Sequence, residues 1–223
     1  MYATGVENAF LNPAIQKNPL TESNFQNLFE KAERFYASHN LPWIWAVRQD
    51  LISQDLRRTK SLELLDQSSA MFIDLRNLLT REPSNDLIIK EDNDDLTDWG
   101  LSLCQAYQSP LEVSNQYINA KKRQGTSKTT FHHFVGYLNT VPVSCLTLSI
   151  QEDRARIDDV GTIPEHQNKG YATQMIVDAL QTAMALGANF CFLEASQLGI
   201  GIYEKLGFQN IFSNLYFKAQ KYV

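Results

Sequence analysis

One stretch constrains this chain more than any other: Gly161-Thr162-Ile163-Pro164-Glu165-His166-Gln167-Asn168-Lys169-Gly170-Tyr171-Ala172-Thr173. A strand ends, a loop opens on a proline, and a helix begins at a glycine. The first turn of a helix carries N–H groups with no partner inside the helix, and the helix dipole adds partial positive charge there. Such a terminus is a natural seat for a phosphate or pyrophosphate. Gly170 lets a ligand approach the backbone, and Ala172 is nearly as small. Gln167 and Lys169 add side-chain donors. The same letters also describe an ordinary strand-to-helix turn, so this stretch alone leaves both readings open.

The surrounding pattern supplies a context. Leu87-Ile88-Ile89 reads as a strand, and the acidic run Asp92 to Asp95 as a solvated helix start. Helices are expected over 94–107 and 111–123, then strands near 130–139, 142–151 and 155–162. Asn139-Thr140 and Gln151 to Arg154 make the two turns between those strands. A helix from about Lys169 to Leu186 shows Ala172, Met175, Ile176, Ala179, Leu180 and Ala183 on one face, and Gly187 closes it. Asn189 to Glu194 is a strand, Gly199 to Leu206 a short helix, and 208–219 strand again.

A second informative stretch follows: Ala195-Ser196-Gln197-Leu198-Gly199-Ile200-Gly201-Ile202-Tyr203-Glu204-Lys205-Leu206-Gly207-Phe208. A strand leads into a short helix bearing Tyr203, and Gly207 ends that helix before Phe208. A phenol held at a strand–helix crevice is able to donate a proton; a core tyrosine would look the same in sequence.

Taken together, the two stretches resemble the GNAT superfamily of acetyl-CoA-dependent N-acyltransferases. Gln167-x-x-Gly170-x-Ala172 matches that family's phosphate-loop pattern, and Ile202-Tyr203-Glu204-Lys205-Leu206-Gly207-Phe208 its C-terminal signature. The resemblance covers roughly 86–219. It implies an α/β (α+β) GNAT fold, a mixed central sheet flanked by helices, and an acetyl-CoA-dependent N-acetyltransferase acting on a primary amine by direct attack on the thioester. It further implies that Val160, Gly161 and Thr162 present main-chain groups to the pantetheine arm and the thioester carbonyl. Amides of Asn168, Lys169, Gly170, Tyr171, Ala172 and Thr173 would hold the pyrophosphate, beside Gln167. Tyr203 would protonate the departing thiolate. The sequence departs from the family where Gln167 replaces a common Arg, Asn168 a common Gly, and Ser196 an asparagine whose place near the ligand its hydroxyl would take.

The general base is open among Asp158, Asp159 and Glu194. Asp158 and Asp159 are neighbours on one strand and so face opposite sides; Asp159 and Glu194 are carried forward as the catalytic candidates. His132 and His133, also on opposite strand faces, read as structural. With four histidines and no clustered ligand spacing, no metal site is expected.

The first 85 residues read as a smaller α/β half-domain, a degenerate GNAT-like region without a phosphate loop, so the expected division is 1–85 and 86–223. Residues 1–20 look irregular. A helix over Thr21 to His39 follows, capped by Thr21 or Ser23, with Phe25, Leu28, Phe29, Ala32 and Phe35 or Tyr36 at helical spacing. Trp43 to Val47 reads as a buried strand, and a short helix holds Leu51, Leu56 and Leu62. Met71-Phe72-Ile73 is another strand, and the polar stretch Thr80 to Asn85 is the expected boundary. Aromatics of this half (Phe35, Tyr36, Trp43, Trp45) fit core packing better than an acceptor cleft.

Composition narrows the setting. A length of 223 residues with 43% hydrophobic and 20% charged residues is globular rather than disordered. A net charge of −5 argues against bulk-charge nucleic-acid binding and mildly favours a cationic acceptor. No apolar run reaches the roughly 18 residues of a membrane span, and no secretory pattern opens the chain. Three scattered cysteines suit a reducing compartment, so the expected location is cytoplasmic, with acetyl-CoA and an amine as partners and a homodimer possible through C-terminal strands. The competing class is a non-catalytic acyl-CoA-binding regulatory module.

Overall fold

The computed structural model describes residues 1–59, 62–78, 86–92, 95–123 and 128–219. The polar stretch 80–85 expected to be a boundary lies outside the described residues, as do Asn93 and Asp94 of the acidic run. The chain divides into two compact units, Met1–Ala70 with Ile211–Val223, and Met71–Asn210.

In the first unit, β1 (Pro13–Gln16), α1 (Glu22–Ser38), β2 (Ile44–Arg48) and α2 (Gln54–Thr59) lead into β3 (Leu62–Asp74), and the chain returns as β9 (Gln209–Ala219). Thr21 caps α1 by accepting from the Asn24 amide at 3.4 Å. Phe25, Phe29, Ala32 and Tyr36 then bury one face of that helix. Spacings of three and four residues put them on one stripe. The stripe meets Trp45, Val47, Leu215 and Phe217 in a single apolar cluster. Tyr36 stacks on Trp43 at 5.3 Å, and the Trp45 indole donates to Gln16 Oε1 at 3.1 Å. These aromatics are core.

Three expectations need correction in this unit. Residues 13–16, read as irregular, form an edge strand parallel to β2; four residues starting on a proline carry too little periodicity to be seen. Leu62, assigned to a helix, begins β3, a 13-residue strand that also takes in Met71 to Ile73. The C-terminal strand is not a free edge: β9 lies between β2 and β3.

The second unit holds the end of β3, then β4 (Ile88–Glu91), α3 (Thr97–Tyr107), α4 (Leu111–Lys122), β5 (Thr130–Leu138), β6 (Val141–Gln151), β7 (Arg154–Thr162), α5 (Tyr171–Ala185), β8 (Phe190–Ser196) and α6 (Ile200–Lys205). Strand order is β3-β8-β7-β6-β5-β4. Pairing is antiparallel from β4 to β7 and parallel between β7 and β8. Adjacent residues of β5 show how the sheet is covered. Phe134 joins the cluster of α5 residues Met175, Ile176, Ala179 and Leu180, whereas Val135 joins Trp99 and Leu103 of α3. Neighbouring strand residues point to opposite faces, so α5 and α3 flank the sheet from opposite sides.

The structure divides the chain elsewhere than at residue 85. The division falls within β3, and Ile211–Val223 groups with the N-terminal residues. Proline and polar residues mark loops, whereas strand pairing decides which segments share a core.

Candidate functional site

The site is built where β7 and β8 part. Their parallel pairing runs from Arg154↔Phe190 to Ile157↔Leu193 and stops, although β7 continues to Thr162 and β8 to Ser196. Among the described residues, no strand pairs with the facing edges beyond that point. At the same level β7 bulges against β6. The register steps from Cys145↔Gly161 to Thr147↔Asp158, so Asp159 and Val160 together face Leu146. Asp159 has φ +57°, the left-handed region. A bulge re-aims backbone groups and commonly lies beside a functional site.

Several side chains grip the bulge. Asp159 accepts from the Tyr117 hydroxyl at 2.8 Å and pairs with Lys121 Nζ at 2.8 Å. The Asp159 carbonyl accepts from the Cys145 thiol at 3.4 Å, and the Val160 carbonyl from the Tyr107 hydroxyl at 3.1 Å. Ser144 Oγ donates to the Gly161 carbonyl at 2.7 Å and meets Thr162 Oγ1 at 3.0 Å. At Gly161 α3 packs tightly on the strand: a Cβ there would sit 2.8 Å from the Ala106 Cβ. Motif reading missed Tyr107, Tyr117 and Lys121, since a tyrosine or lysine on an amphipathic helix carries no distinguishing local signal.

Beyond β7, Pro164–His166 form a 3-10 turn and the loop runs to Gly170, the N-cap of α5, at φ +86°. Asn168 is left-handed too, at φ +61°. The Gln167 side-chain amide donates to the Thr162 carbonyl at 3.0 Å, and Lys169 Nζ to the Glu165 carbonyl at 3.0 Å. Both expected donors therefore also brace the loop. Among the described residues, the amides of Asn168, Lys169, Gly170, Tyr171, Ala172 and Thr173 have no hydrogen-bond acceptor. Residues 167–170 are exposed and 171–173 half-buried, so this row of donors is open.

Tyr203 stands on α6 at 8% exposure, edge-on to Phe208 with ring centroids 5.7 Å apart. Among the described residues its hydroxyl makes no hydrogen bond. A Cβ on Gly199 would lie 3.2 Å from the Tyr203 ring and 3.4 Å from Ser196 Oγ. A side chain at 199 would push the Tyr203 ring aside by a few tenths of an ångström. The Ser196 carbonyl accepts from the Gly199 amide at 2.9 Å.

The candidate bases differ in their surroundings. Asp159 already has both carboxylate oxygens engaged by Tyr117 and Lys121. Asp158 is held by Arg156, with Nε–Oδ2 at 2.8 Å. Glu194 is exposed on β8 just past Leu193, the last residue paired to β7. The two histidines have structural partners: His132 meets Glu91 at 2.6 Å, while His133 is buried edge-on to Trp99 and bonded to Thr147 Oγ1 at 3.1 Å. Among the described residues, no group of three or more His, Cys, Asp or Glu side chains is placed to hold a metal. No helix among them is long and apolar enough to cross a membrane.

Residues 72–208 match the family described as Acetyltransferase (GNAT) family. The matched span lies inside the second unit. No curated protein matches the chain in sequence. Among solved structures, a GCN5-related N-acetyltransferase from Kribbella flavida superposes with a TM-score of 0.71 at 14% identity, covering 95% of this chain and 82% of its own. A conserved protein of unknown function from Staphylococcus epidermidis also scores 0.71 at 14% identity, over 95% and 85%. A tandem GNAT protein from the clavulanic acid biosynthesis pathway scores 0.60 at 9% identity, over 88% and 69%. Identities this low speak to shared fold alone.

Proposed function

The chain belongs to the GNAT acetyltransferase family, and from that premise we propose that it transfers the acetyl group of acetyl-CoA to a primary amine by direct attack on the thioester. One observation carries the proposal: six successive amides, Asn168 to Thr173, stay open at the start of a 15-residue helix. Beside them β7 and β8 have parted. The donors suit a diphosphate, and the parted strand edge suits an extended amide-bearing arm.

Acetyl-CoA supplies an activated acyl carbon and a good leaving group. The protein supplies direction and proton management. Main-chain amides of the β7 bulge polarise the thioester carbonyl. The amine nitrogen forms the new C–N bond as the C–S bond breaks, and its proton passes to Glu194. Glu194 is preferred to Asp159 here because it is exposed just past the point where β8 leaves β7, whereas the Asp159 side chain is largely buried against α4. The departing sulfur accepts a hydrogen bond from the Tyr203 hydroxyl and takes its proton from solvent, while Glu194 returns the amine's proton to water, so one amide and one free thiol result.

The second reading, a non-catalytic acyl-CoA-binding module, draws on Gln167, which places no fixed charge where the family often has Arg. One experiment separates the readings. Full-length protein is melted with CoA and with acetyl-CoA, then incubated with acetyl-CoA and an amine panel under mass detection. Stabilisation of about 2.7 kcal/mol at a hundredfold excess over Kd is expected, with an acetylated amine among the products. Binding without amide formation or thiol release favours the module; no stabilisation by either compound sinks both.

A further inference from the structure

Resting on that acyl-transfer reading, we propose that Tyr117 and Lys121 are positioning residues that hold the β7 bulge in the shape the transfer needs. The peptide geometry shows what is held. The Asp159 carbonyl points to Cys145 on β6. No peptide bond among the described residues is cis, and in a trans peptide the N–H lies opposite the carbonyl. The Val160 amide therefore points away from β6, toward the edge of β7 where β8 has left. It is the donor best directed at a thioester carbonyl lying along that edge.

This orientation depends on Asp159 keeping its left-handed backbone. For a residue with a Cβ that conformation costs roughly 1–2 kcal/mol and persists only when the surroundings enforce it. The enforcing contacts come from α4: the Tyr117 hydroxyl on one carboxylate oxygen and the Lys121 ammonium on the other, both at 2.8 Å. The Lys121 and Asp159 side chains are only 7% and 12% exposed, and the ammonium sits 5.1 Å from the centre of the Tyr117 ring. A buried ion pair is a poor way to gain stability, because desolvation cancels much of the attraction. What it does supply is one defined geometry. Tyr107, from the end of α3, secures the next residue through the Val160 carbonyl. Without the α4 contacts, Asp159 is free to relax toward ordinary strand geometry, which turns the Val160 amide back toward the β6 ladder.

The test uses full-length protein with Tyr117→Phe and, separately, Lys121→Met. Four quantities are read: kcat and KM for acetyl-CoA turnover (thiol release, with or without an amine), Kd for CoA by calorimetry, and hydrogen exchange of peptides covering 158–162. Displacing the donor by about an ångström predicts a fall in kcat of roughly 10- to 100-fold for either variant. Kd for CoA should change less than about threefold, because the diphosphate amides lie elsewhere, and exchange at 158–162 should quicken. Unchanged kcat in a folded variant overturns the proposal, and so does a loss of CoA binding in step with turnover. Should Lys121→Met not fold, Tyr117→Phe decides alone, since it removes one hydroxyl and leaves the ion pair. Failure of the underlying reading shows in the unmutated protein: absence of both CoA binding and thiol release overturns acyl transfer and the positioning role together. An active parent with unaffected variants overturns the positioning role only.

Discussion

Burial pushes the Tyr203 phenol up to about 12, with Asp158 and the Cys191 thiol adding to the push. The group therefore keeps its proton throughout the physiological range. A free thiol titrates near 8.5, so outright proton transfer to a thiolate is uphill by about 5 kcal/mol. On the proposed mechanism Tyr203 therefore acts chiefly by donating a hydrogen bond to sulfur as charge develops. Tyr203→Phe should lower turnover about 100-fold while Kd for CoA stays within about twofold. Steady-state kinetics with calorimetry checks this, and equal losses in both would make Tyr203 a binding residue. His133 behaves differently. Burial first, then the Lys121 charge, lowers it from 6.5 to about 4, so the folded protein holds it neutral. Its contribution to stability is complete above 6.5 and is lost as pH falls toward 4, because the unfolded chain binds that proton first. The melting temperature should fall across that window, and His133→Gln should flatten the decline; an unchanged slope would remove His133 from the account.

At the scale of elements, β7 and α5 make the site between them. α5 was visible in the sequence because Met175, Ile176, Ala179, Leu180 and Ala183 repeat at helical spacing and all are buried. Its open first turn depends on Gly170 at φ +86°, which admits glycine without strain. Gly170→Ala carries a penalty of roughly 1–2 kcal/mol. If the loop relieves it by turning its amides away, CoA affinity should drop about tenfold. Titration calorimetry reads this directly, and wild-type affinity would show that the amides do not hold the ligand. The bulge in β7 had no comparable trace. Asp158-Asp159-Val160 reads as regular strand, and alternation alone put the two carboxylates on opposite faces. The structure breaks that alternation at Asp159 and gives its carboxylate to α4.

At the scale of the whole molecule, all the candidate residues fall within Met71–Asn210, the unit that contains the family match. That unit begins within β3. Met71, Ile73 and Leu75 are all at most 2% exposed and belong to its main core. A fragment starting at residue 84, just before the boundary expected from composition, would leave that core without three buried side chains. Each such loss costs roughly 2–5 kcal/mol, enough together to unfold a typical domain. Residues 84–223 alone should therefore show no cooperative melting by circular dichroism. A sharp transition would mean that this core closes without β3.

Local periodicity and two short motifs were enough to determine the element order from β5 to α6, the glycine-opened helix and the tyrosine after it. Each of those signals lies within a few residues, where spacing maps directly onto geometry. That α4 takes the Asp159 carboxylate, where β7 bulges, and that β3 supplies core to the second unit were decided only in three dimensions. These features depend on Lys121 meeting Asp159 and on strands pairing across long separations. The free energy of such contacts belongs to the packed chain, and no window of sequence contains both partners.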